Sequence, residues 1–181
     1  GGCAADWVSI SPSGKYVVIK YHDESMRVLD VDPVTLALTS RVMPSTAPRC
    51  GGSAALGFIY EIGHGDMAKN PFDNNEDVII GQEHCGNRGE LLNGKLVGGV
   101  VMIRLKDGAV TSLTDPTNEA YPHHVSTRNL QRPGWAYVTY FPEPGKRFTD
   151  EIIAVKLDGS KSVQRFAHDH TDFTSCYRCE A

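Results

Sequence analysis

Ser11-Pro12-Ser13-Gly14-Lys15-Tyr16-Val17-Val18-Ile19-Lys20-Tyr21 decides the fold of this chain. Pro and Gly in the first four residues mark a tight turn. The next six residues are β-branched and aromatic, the composition of a strand. Reading outward, Trp7 to Ile10 is a short strand before the turn. The polar stretch His22-Asp23-Glu24-Ser25 follows, then a third strand over Met26 to Val31 and a fourth over Leu36 to Met43. This is a four-stranded meander.

The same order of strands returns twice. In the second copy, His64 to Ala68 leads into the turn Pro71-Phe72-Asp73-Asn74-Asn75 and the strand Asp77 to Gln82. A Gly-rich loop, Val97 to Leu105, the turn Lys106-Asp107-Gly108 and Ala109 to Leu113 complete it. The third runs through His124-Val125-Ser126, Trp135 to Tyr140, Glu151 to Leu157, the turn Asp158-Gly159 and Ser162 to Ala167. Both Asp-Gly pairs sit between alternating apolar residues, a strong hairpin signal. Val18, Ile79 and Val138 fall mid-way along the second strand of each copy, 61 and 59 residues apart, and His64 and His124 are 60 apart. A four-strand unit repeating near 60 residues predicts an all-β fold of β-propeller blades, about 6–43, 58–113 and 121–169, with 170–181 opening a further blade.

Composition bounds the function. The 181 residues hold 18 Lys and Arg against 22 Asp and Glu, a net charge of −4, which excludes a generally basic nucleic-acid binder. Hydrophobic residues at 40% and charged residues at 22% give a globular balance rather than a disordered one. No apolar run reaches the length of a membrane span. Gly1 to Asp6 has neither a basic segment nor an apolar one, as in a processed or partial chain. The five cysteines, Cys3, Cys50, Cys85, Cys176 and Cys179, are odd in number, so disulfides cannot use all of them. An exported protein with one or two bridges is the expectation; an intracellular one with buried thiols is the alternative.

Ser11-Pro12-Ser13-Gly14-Lys15-Tyr16 resembles the turn of TolB-like propellers. His124-Val125-Ser126, Arg132-Pro133-Gly134-Trp135-Ala136-Tyr137-Val138 and Glu151 to Gly159 look like the bacterial seven-bladed propellers of that broad group, which includes oligogalacturonate lyases. The resemblance covers the chain from about Asp6 onward. It implies an acidic oligosaccharide ligand, lyase chemistry, and a metal held by histidines beside the uronate. Three blades are fewer than a closed ring contains. Further blades or partner chains at open strand edges are therefore expected.

Lyase chemistry needs a cation at the uronate carboxylate, a base for the adjacent proton and an acid for the leaving oxygen. Arg128 or Arg132 is the candidate cation, His124 or His64 the base, and Tyr137 or Tyr140 the acid. Equally, Arg132 reads as a turn residue and both tyrosines as strand packing. His64 and His124 start inner strands of successive blades and so face one channel, with the adjacent His123 on the opposite face. A second constellation, His168, His170, Cys176 and Cys179, offers two nitrogen and two sulfur ligands. A disulfide or unlinked structural residues are the alternatives there. The divalent cofactor implied is zinc, manganese or calcium. Asp66, Asp73 and Asp77 are turn carboxylates whose spacing misses the EF-hand pattern. His84 to Glu90 forms a long loop of the kind that carries function. Phosphate-loop, nucleophile-elbow and dinucleotide fingerprints are absent. The alternative to a ligand-binding or lyase role is a non-catalytic interaction scaffold.

Overall fold

A computed structural model describes residues 4–22, 25–47, 52–84, 91–92, 95–96 and 99–168. It is all-β, with one short 3-10 turn at Ala54–Leu56 and no α-helix among the described residues. The first sheet is the meander β1 (Ala5–Ile10), β2 (Tyr16–Tyr21), β3 (Met26–Val31) and β4 (Leu38–Ser40), with β5 (Phe58–Ile59) also paired to β3. The second contains β6 (Asp66–Asn70), β7 (Glu76–Gln82), β10 (Val100–Arg104) and β11 (Val110–Ser112). A small hairpin of β8 (Leu91–Leu92) and β9 (Lys95–Leu96) interrupts it between β7 and β10. The third is the meander β12 (Pro122–Ser126), β13 (Trp135–Tyr140), β14 (Glu151–Lys156) and β15 (Val163–His168). Every pairing between strands is antiparallel.

The sheets stack face to face through two apolar cores. Tyr16, Val18, Met26 and Val28 of the first sheet meet Ile79, Val101 and Ile103 of the second. On the other side, Val78, Ile80, Val100 and Met102 meet Ala136, Val138, Tyr140, Ile153 and Val155 of the third. The middle sheet is therefore buried on both faces, and β7 and β10 read as continuous apolar runs instead of alternating ones. The outer sheets keep the alternation, with every second residue buried along β2 and β13.

The repeat survives, but its register moves by one residue. Strands β2, β7 and β13 begin at Tyr16, Glu76 and Trp135, 60 and 59 residues apart. Val18 and Ile79 face each other across the first core, while Val138 lies in the second. The counterparts of Val18 are Val78 and Tyr137. A slip of one residue turns a strand's whole apolar set to the other face, so burial fixes the correct equivalence.

Polar clamps join neighbouring sheets. The turn after β1 holds Asp77 at the start of β7: the Ser11 hydroxyl donates to its carboxylate at 2.7 Å, the Ser13 amide at 3.2 Å, and the Ser13 hydroxyl as well. The corresponding turn of the second sheet reaches the third, where Asn70 donates from Nδ2 to the carbonyl of Leu157 at 3.1 Å. Both carboxylate and amide are buried, so their polar atoms need these partners.

Candidate metal centre and adjoining pocket

His64, His123 and His124 converge where the second sheet meets the third. Each offers one ligand atom, and these atoms lie within 4.8 Å of one another. The ring of His64 is 5.4 Å from that of His123 and 4.6 Å from that of His124; the last two are 3.9 Å apart. His64 is exposed, His124 half-buried and His123 buried against Phe141, with ring centres 4.2 Å apart.

Adjacent residues of a regular strand point to opposite faces, so His123 and His124 should diverge. A bulge in β12 removes that constraint. Pro122 pairs with Tyr140 and Val125 with Val138, so His123 and His124 together stand opposite the single Thr139. The His124 amide donates to the Thr139 hydroxyl at 3.1 Å. The extra residue re-aims the side chains, as bulges do at strand irregularities near functional sites.

His64 lies in the loop just before β6, pinned to the end of β7. The Gly63 amide donates to the Gln82 carbonyl at 3.0 Å, and Ile62 bridges to Glu83. A side chain at Gly63 would run into the Gln82 amide, and one at Gly65 into Ile62 and the Ile80 carbonyl. The two glycines let the histidine loop lie directly on the strand. Asp66 then accepts from the Thr127 amide at 2.9 Å, and the Thr127 hydroxyl donates to the Met67 carbonyl at 2.7 Å, tying β6 to the loop after β12. The buried Gln82 completes the frame. With its amide oriented to satisfy both groups, the nitrogen donates to the carbonyls of Pro122 and His123, the latter at 3.0 Å.

A pocket of about 360 Å³ adjoins the cluster and shares His64 with it. Trp7, Lys20, Gln82 and His84 contribute to its wall. Behind the wall, Glu61 is buried and holds two of these groups: Lys20 Nζ at 3.3 Å and His84 Nδ1 at 3.0 Å from the same oxygen. Lys20 also donates to the carbonyl of Ile62 at 3.2 Å. Charges this deep require such pairing, and the arrangement fixes the wall in place.

The spacing that singled out His64 and His124 thus brings them together, whereas His123 joins them through a bulge that no spacing reveals. Gln82, Glu61 and Lys20 have no local signal of function; only the paired chain assembles them. Arg128 is exposed in the loop after β12. Arg132 stacks over Trp135 at 3.8 Å and donates to Gln164 at 2.7 Å, on the outer face of the third sheet. Tyr137 lies on that same face against Phe166, ring centres 5.1 Å apart. Tyr140 is buried in the second core beside Phe148. His168 ends β15 and is exposed; His170, Cys176 and Cys179 lie outside the described residues, as do the other three cysteines and the segment 170–181.

Fold and site together define an all-β chain of stacked four-strand meanders with a histidine cluster between two of them. No protein-family model matches this chain, nor does a curated protein or a solved structure.

Proposed function

We propose that this chain is a ligand-binding protein built of β-propeller blades, and that it holds an acidic oligosaccharide through a divalent cation at His64, His123 and His124. The observation that carries the reading is the convergence of three imidazoles from two sheets, with ligand atoms within 4.8 Å of one another. Tetrahedral zinc brings imidazole nitrogens to roughly 3.4 Å, a rotamer adjustment away. Three protein ligands also leave a coordination position for substrate or water, as in catalytic zinc sites. The pocket beside His64 has the size of a small-molecule site.

A cation there would neutralise the carboxylate of a uronate, the role that the sequence suggests for Arg128 or Arg132. His84, oriented by Glu61, is the imidazole of that pocket outside the cluster, and so the group placed to move a proton. This extends the ligand-binding reading to lyase chemistry.

The test is calorimetric titration of short oligogalacturonates into zinc- or manganese-loaded protein, with ultraviolet detection of unsaturated uronide products. Binding that disappears with chelator and in His124→Ala is the expected result. Binding indifferent to metal, or none with the metal site full, would overturn the reading.

A further inference from the structure

The two inner interfaces follow one rule, and it leaves two faces over. Each joins the leading face of one sheet to the trailing face of the next: Val18 and Val28 against Ile79 and Val101, then Ile80 and Met102 against Val138 and Ile153. Among the described residues, the trailing face of the first sheet and the leading face of the third have no such neighbour.

Both open faces keep the apolar alternation of an interface. On the first sheet, Val8 lies opposite Ile19, Ile10 opposite Val17 and Leu38 opposite Val31. Residues opposite one another share a face, and this one is opposite to the face of Val18. Val8, Ile10 and Leu38 are 58%, 59% and 51% exposed. On the third sheet, Trp135 and Tyr137 alternate with the buried Ala136 and Val138, Ile152 lies opposite Thr139, and Phe166 packs on Tyr137 while 67% exposed. Exposed apolar side chains gathered on one face mark an interface; Arg27 lies opposite Ile19 on the first and Arg132 lies over Trp135 on the third.

We propose that these two faces are a single head-to-tail docking surface, and that its occupant is a second copy of this chain. Continuity with the inner interfaces argues for it: no described residue supplies the third sheet with a trailing face to pack on, and the first sheet of another copy offers one of the same type. The contact is heterologous, one face of one copy on a different face of the next. It takes its geometry from the blade reading but does not depend on the metal.

Sedimentation velocity over a range of concentrations tests it, with Phe166→Lys and Val8→Lys as variants. Both positions are exposed, so the fold should be retained; circular dichroism and thermal unfolding check this. The expected result is wild-type mass above the 19.8 kDa of one chain, with each variant monomeric alone. An equimolar mixture of the two variants retains one intact pair of faces and should form a one-to-one dimer. A wild-type monomer at every concentration, an assembly insensitive to either substitution, or a mixture that stays monomeric would overturn the proposal. Whichever way it falls, metal content is measured separately and is unaffected.

Discussion

The histidine cluster turns on one residue outside the three imidazoles. Gln82 sits at the end of β7, and with its amide nitrogen turned toward them it donates to the carbonyls of Pro122 and His123, the backbone that bulges. Removing such a support lowers metal affinity by roughly 10- to 100-fold in comparable sites. Gln82→Leu is therefore expected to weaken zinc binding by that factor while His124→Ala abolishes it, as measured by competition with a chromogenic chelator. Zinc affinity unchanged in a folded Gln82→Leu protein would remove Gln82 from the site. The sequence discloses this level only in part. His64 and His124 stand one repeat apart and are visible. The bulge that recruits His123 depends on the partner strand, because the extra residue shows only against Thr139.

At the scale of the element, the strands were legible and the exceptions have physical causes. Alternation marks β2 and β13 because each has one open face. It vanishes in β7 and β10 because both faces are buried, and there the apolar run itself is the signal. The fourth strand is only Leu38–Ser40, shorter than the apolar reading of Leu36 to Met43, since Leu36 has positive φ and lies in a turn. Turn carboxylates hold the hairpins. Hydrogen bonds from Lys156 and Ser160 lower Asp158 to about 2. Burial pushes Asp107 up, but its bonds to Arg104 and the Ala109 amide outweigh this and leave it below its ordinary value. A carboxyl group depressed on folding stabilises fully above its unfolded value, about 3.9, and loses that contribution as pH falls through the folded value. Melting temperature should drop between about pH 4 and 2, and by less in Asp107→Asn and Asp158→Asn. Equal acid sensitivity in these variants would mean that the turn carboxylates do not set the acid limb.

For the whole molecule, a period near 60 residues foretold three similar sheets, and the described residues contain three four-strand meanders beside the small β8–β9 hairpin. Val18, Ile79 and Val138 do lie mid-way along β2, β7 and β13, but the period leaves the facing of the strands open, and the two cores settle it by opposing Val18 to Ile79. Stacking has a functional consequence: the loop before β6 and the bulged β12 come from successive sheets, so the histidines meet only when those sheets pack. A metal bound there would favour the stacked state by mass action, coupling fold to ligand. The most direct measurement is the zinc content of protein stripped with chelator, reloaded and gel-filtered. The account predicts that wild type carries about one zinc per chain more than His124→Ala, and that replacing Cys176 and Cys179 by Ser does not remove that ion. Equal zinc in wild type and His124→Ala would contradict it.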